Sequence, residues 1–182
     1  TSLFFLAHPG YGANVGGTVA AGTAFGLAAL LHARVRFSWA HALALGTVAT
    51  ALVATVAWWD GTRSLAVQSH LGKAVNLVRQ EGWPAVQEII GRKLATNLRL
   101  IRYTVWTRAL LSGLAVLAVL LYYQVGKVGE CCRSYPKLTR SLVAMVAGSF
   151  VALVFNDSGI VAAATMMIYG IGPFLTLILA YK

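Results

Sequence analysis

A chain of 182 residues that is 58% hydrophobic and only 11% charged has too few charges to clothe a soluble surface, for which about 25% is usual. Its 15 Lys and Arg stand against 5 Asp and Glu, a formal net charge of +10. The apolar residues gather in runs of membrane-spanning length. In such a chain the excess belongs to loops that orient helices and meet anionic headgroups, so membrane lipid is the expected partner and nucleic acid is not.

The expected fold class is therefore all-α. It is a polytopic transmembrane helix bundle of about five spans with one basic amphipathic interfacial segment, read as a single membrane domain over residues 1–182. The opening Thr1-Ser2-Leu3-Phe4-Phe5-Leu6 lacks the basic n-region of a signal peptide. It reads as the end of a preceding apolar helix, and the chain as the C-terminal part of a longer protein.

The first span is expected over residues 14–33, ending at Arg34 and Arg36, which are costly in lipid. Gly22 and Gly26 form a G-x-x-x-G pair that would let a neighbouring helix approach closely. The second span, 39–59, has Trp39 at one end and Trp58 and Trp59 at the other, the placement that suits indole rings at the headgroup boundary. Asp60-Gly61 ends it.

Residues 64–103 read differently. Leu71, Val75 and Val78 share one helical face, and Gly82-Trp83-Pro84 breaks the pattern. Pro84 can then open a second helix, whose stripe is Val86, Ile90, Leu94, Leu98 and Ile101, with Glu88, Arg92, Arg99 and Arg102 largely off it. Such a segment lies along the membrane surface or packs over the bundle.

A third span is expected over 105–125, then a polar loop with Lys127, Glu130, Arg133, Lys137 and Arg140. Cys131 and Cys132 are adjacent, a spacing that suits neither an unstrained disulfide nor a zinc site, and read as reduced thiols in that loop. The fourth and fifth spans, 141–155 and 160–180, are separated only by Asn156-Asp157-Ser158-Gly159 and should form an antiparallel hairpin, with Gly172-Pro173 a kink in the last helix.

Five crossings put the start of the first span, residues 64–103 and the 156–159 turn on one side of the membrane. Arg34, Arg36 and the Lys127–Arg140 loop are the short basic connections of the other side. By the positive-inside rule they face the cytoplasm, and the long basic segment faces outward.

The shared side carries the candidate chemistry. Gly12-Ala13-Asn14-Val15-Gly16-Gly17-Thr18 is a glycine-rich helix start that could offer backbone N–H groups to an anion, or simply a helix start capped by Asn14. It lacks the G-K-[ST] of a phosphate loop. Asp157 could be a proton carrier, a general base or a cation ligand, or Asp157 or Asn156 could cap the fifth helix. His70 is a second candidate for acid–base work, or an interfacial residue. Arg92, Lys93, Asn97 and Arg99 could hold phosphate, or form a generic polybasic face.

The candidate catalytic residues are thus Asp157 and His70. The candidate anion-binding set is Asn14, Gly16, Gly17, Thr18, Arg92, Lys93, Asn97, Asn156, Asp157 and Ser158. His8, His32 and His41 are scattered without metal-ligand spacing, and no nucleophile elbow occurs, so neither a metal nor another cofactor is expected.

The runs Gly12-Ala13-Asn14-x-Gly16-Gly17-Thr18, His70-Leu71-Gly72, Gly91-Arg92-Lys93-Leu94-x-x-Asn97-Leu98 and Phe155-Asn156-Asp157-Ser158-Gly159 occur in this order. In that order the chain resembles the C-terminal membrane region of a family of uncharacterised multi-pass bacterial membrane proteins. Longer members of that family carry further transmembrane helices upstream, with an alkaline-phosphatase-like module before them. The resemblance implies a bacterial cytoplasmic-membrane location and no particular reaction.

The expected function is a membrane module that binds or handles an anionic, lipid-linked envelope substrate on one membrane face. The alternatives are an anchor or assembly subunit for an extramembrane domain or for partner helices, and an ion- or proton-coupled transporter. Whether it is an enzyme is left open by these residues.

Overall fold

The computed structural model describes residues 2–11 and 14–181. They form nine α-helices and one 3-10 turn. A short α1 (Ser2–Ala7) and the turn Pro9–Tyr11 lead into α2 (Val15–His32) and α3 (Trp39–Gly61). Then come α4 (His70–Glu81), α5 (Trp83–Tyr103) and α6 (Val105–Tyr123), followed by α7 (Gly126–Ser134), α8 (Pro136–Phe155) and α9 (Gly159–Ala180).

Five of them, α2, α3, α6, α8 and α9, are long and apolar enough to cross a membrane, with 18 to 23 residues and mean hydropathy of 1.4 to 1.9. At about 1.5 Å per residue even the shortest approaches the roughly 30 Å hydrocarbon core. The protein is a multi-pass membrane protein.

The helix ends follow local chemistry. Gln124 in the left-handed conformation (φ 40°) stops α6, and Gly126 (φ 55°) opens α7. The polar loop expected at 126–140 is therefore mostly helical. Pro136 starts α8 about one turn before the expected 141, because a first-turn proline needs no N–H partner. Cys131 and Cys132 are buried within α7 and packed into the core, where loop thiols had been expected. The break expected at Gly82 is where α4 gives way to α5, with a positive φ of 68° that favours glycine.

The spans stand as a row, α3–α2–α8–α9–α6, each touching chiefly its neighbours. Small side chains set the closest pairing. A Cβ on Gly16 of α2 would lie 2.5 Å from Asn156 Cα, and one on Gly148 of α8 would lie 2.7 Å from Ala24 Cβ and 3.2 Å from the Ala20 carbonyl. With Ala144 and Ala152 also buried, α2 and α8 meet backbone to backbone, which is how van der Waals packing holds helices in lipid.

The expected Gly22–Gly26 pair is not that contact. Gly22 faces open space, and Gly26 faces the Leu45 side chain on α3. The stripe Gly16, Ala20, Ala24 lies on a different face of α2. The core proper centres on α9, whose Ile160, Ala163, Ala164, Met167, Ile171 and Phe174 pack against Leu110 and Leu117 of α6 and Leu142 of α8.

The two ends of the row, α3 and α6, are joined by α4 and α5. The start of α4 is tied to the last turn of α3 by Asp60, a residue that reads in the sequence merely as the end of a span. Its side chain is fully buried. It accepts from Ser69 Oγ (2.5 Å), Ser69 N (3.2 Å) and Gly72 N (2.8 Å), and pairs with Arg63 at 3.2 Å. Gly72 is required there, since a Cβ would sit 2.6 Å from the carboxylate.

Apart from half-buried Val86, the apolar stripe of α5 does not pack on the bundle. Leu94 and Leu98 are 59% and 65% exposed, and Ile90 and Trp83 are exposed with them. The residues turned inward are Ala85, Ile89, Asn97 and Leu100, about a quarter-turn away.

Candidate functional site

The glycine-rich start of α2 is occupied by its own cap. Asn14 Oδ1 accepts from Gly17 N at 2.8 Å, and the Asn14 carbonyl accepts from Thr18 N at 2.9 Å and Thr18 Oγ1 at 2.8 Å. The space a Gly17 side chain would fill holds the Asn14 amide, Thr18 is buried, and Gly16 is spent on the contact with α8. Gly17 and Thr18 therefore have no free N–H to offer a ligand. Gly12 and Ala13, the first residues of this motif, lie outside the described residues.

The turn between α8 and α9 is held from a distance. Asn97 Nδ2 donates to the Asn156 carbonyl at 3.3 Å, while Asn97 Oδ1 accepts from Gly159 N at 3.0 Å. The side chain that caps α9 is thus on α5, not Asn156 or Asp157. Ser158 sits at the N-cap position without a side-chain cap bond. Both polar ends of the Asn97 amide are used, so it positions α5 against the turn.

Asp157 points away from this network. It is 79% exposed, and its Oδ1 lies 2.8 Å from Lys93 Nζ. His70, the first residue of α4, is exposed and makes no side-chain hydrogen bond among the described residues. No bond links it to a carboxylate there, so Asp157 and His70 form no assembled acid–base pair. Among the described residues no group of three His, Cys, Asp or Glu is placed to hold a metal ion.

What the tertiary structure does bring together is an open cleft of about 920 Å³. Asn14 and Gly16 form one edge and Asn156 and Asp157 another. The α4 wall is His70, Leu71, Lys73 and Leu77; the α5 wall is Ile89, Arg92, Lys93 and Thr96. Its volume sits near the top of the range for small-molecule sites, roughly 300–1,000 Å³.

Three cations and one carboxylate line it, and the carboxylate is already paired with Lys93. Lys73 and Arg92 have no acidic partner among the described residues. Of the expected anion-binding set, Asn14, Gly16, Arg92, Lys93, Asn156 and Asp157 line the cleft; Gly17, Thr18, Asn97 and Ser158 do not.

Lys73 was not singled out by the sequence reading. Its signal was its place one helical turn after His70, on the polar side of α4. Chemically the cleft can hold an anion by charge-assisted hydrogen bonds, with the Arg92 fork, two ammonium groups and the Thr96 hydroxyl as donors. The chain matches no protein-family model, no curated protein and no solved structure.

Proposed function

We propose that this membrane protein binds an anionic ligand of the phosphate class in the cleft between α2, α4, α5 and the α8–α9 turn. The observation that carries the reading is the surplus of cations there: among the described residues Lys73 and Arg92 stand without acidic partners, at the end of a bundle poor in charge. A basic residue near an anionic surface contributes about 1 kcal/mol, so the two free cations together are worth on the order of 30-fold in affinity. The face that carries the cleft also carries α5, an amphipathic interfacial helix in this reading. The resemblance set out above would place the module in the bacterial cytoplasmic membrane, as the C-terminal part of a longer protein.

The test is direct titration of the purified protein in detergent with inorganic pyrophosphate, followed by intrinsic Trp fluorescence or calorimetry. Saturable binding that falls about fivefold in Arg92→Ala, and about 30-fold in the Lys73→Ala/Arg92→Ala pair, is expected. No binding by wild type, or equal binding by the folded double variant, overturns the reading.

The anchor alternative rests on a different observation. Asn14, Gly16, Gly17, Thr18 and Asn97 serve caps and packing, as they would in a module whose work is to hold its shape. It predicts that Lys73 and Arg92 variants leave ligand binding and partner assembly alike unchanged. Transport by a proton carried on Asp157 is the weakest of the three, because an exposed, ion-paired carboxylate does not face a sealed path.

A further inference from the structure

The cleft is not lined by polar groups alone. Leu71 and Leu77 of α4, Ile89 of α5 and Phe155 at the end of α8 share it with the cations, so each helical wall carries apolar side chains beside charged ones. A free inorganic anion has no use for the apolar ones, and water wets them poorly.

Its height relative to the membrane follows from Asn97. That residue ties α5 to the turn where α8 and α9 both end. Around Asn97 helix α5 therefore sits beside the span ends, with Leu94 and Leu98 exposed on its outer side and Arg92 and Arg99 on another. A helix in that position buries its bare apolar edge in the acyl boundary and keeps its charges in the headgroup layer. The cleft beneath it then sits at headgroup depth, with cations and apolar side chains side by side on both of its helical walls.

From this juxtaposition we infer that the ligand is an amphiphile taken from the bilayer, a lipid with a phosphate-bearing headgroup: the phosphate meets Lys73, Arg92 and Lys93, and the first methylenes of the chains lie on Leu77 and Ile89. The inference rests on the anion-binding reading above and adds the requirement for a lipid tail. It follows that the affinity has two separable parts, one carried by charge and one by apolar contact.

The experiment titrates the full chain, in one fixed detergent, with three probes: inorganic phosphate, dioctanoyl phosphatidate and dioctanoylglycerol. Each is run on wild type, Arg92→Ala, Leu77→Asn and Ile89→Thr, with thermal denaturation as the control for folding. Both apolar variants are used so that a failure of one to fold leaves the other as the test. Phosphatidate should bind at least tenfold tighter than either phosphate or dioctanoylglycerol. Leu77→Asn and Ile89→Thr should weaken phosphatidate about five- to tenfold and change phosphate by less than twofold. Arg92→Ala should weaken both phosphate and phosphatidate about fivefold.

Equal affinity for phosphate and phosphatidate, with the apolar variants neutral, overturns the lipid inference and leaves the anion-binding reading standing. Dioctanoylglycerol binding as tightly as phosphatidate overturns the headgroup assignment, and no binding of phosphate or phosphatidate overturns both readings together.

Discussion

Replacing Asp60 by Ala should do more damage than any other loss of an acid in this chain. The carboxylate is fully buried and accepts three hydrogen bonds, from Ser69 Oγ, Ser69 N and Gly72 N, besides facing Arg63. Truncation leaves the Gly72 and Ser69 N–H groups without partners, each costing about 1–3 kcal/mol, with a further ~1 kcal/mol for the hydroxyl. The Arg63 pair is partly exposed and adds little. The expected loss is about 3–7 kcal/mol.

Much of the damage should be local. Helix α4 has only 12 residues and is held mainly by α3, and isolated helices of that length are marginal. Reversible unfolding in mixed micelles measures the total, and amide hydrogen exchange over residues 69–75 measures the local part. Exchange there should accelerate by two orders of magnitude or more, on the order expected for about 3 kcal/mol. Ligand binding should fall with it, because α4 carries Lys73. A stability change below about 1 kcal/mol with unaltered exchange would refute the idea that Asp60 anchors α4.

Four other outcomes are expected. Gly16→Ala should destabilise by about 1–3 kcal/mol, because its methyl would press on the Asn156 backbone, whereas Gly22→Ala should be neutral or slightly stabilising; thermal denaturation in detergent separates the two. Asn97→Ala should cost about 1–3 kcal/mol through the lost bonds to Asn156 and Gly159, while Asp157→Asn should stay within about 0.5 kcal/mol, as an exposed pair implies. Single cysteines placed at Gln80 and Ser158 should label from one side of the membrane and those at Arg36 and Lys137 from the other; Gln80 and Ser158 labelling from opposite sides would break the five-crossing arrangement. In the native protein Cys131 and Cys132 should resist maleimide at neutral pH and react once denatured. Both are buried, and burial, with the neighbouring Cys132, pushes the Cys131 thiol above its usual range, so the reactive thiolate is scarce; fast labelling of folded protein would contradict the α7 packing.

The number of spans, the tight α8–α9 hairpin and the break at Gly82 were legible in the amino-acid sequence, because each depends on residues close together in the chain. A window of about 20 residues decides whether a helix can cross lipid, and a positive φ or a first-turn proline decides a helix end locally. Helix pairing was not legible in the same way. Lipid-facing and helix-facing residues are both apolar, so periodicity cannot say which small residues meet a neighbour. Gly22 and Gly26 offered the recognisable spacing, yet Gly16, Ala20 and Ala24 make the close contact with α8.

The candidate site divides along the same line. Arg92, Lys93 and Asp157 were singled out by charge alone, and they do share one cleft. The work of Asn97 depends on partners 59 and 62 residues away, and that of Asp60 on a partner 12 residues away. Lys73 joins Arg92 only because α4 and α5 fold back over the span ends. Periodicity settles which residues share a helical face. What that face meets is settled by packing between distant parts of the chain, and it is this packing that turns the apolar edge of α5 outward and closes its inner face over a basic cleft.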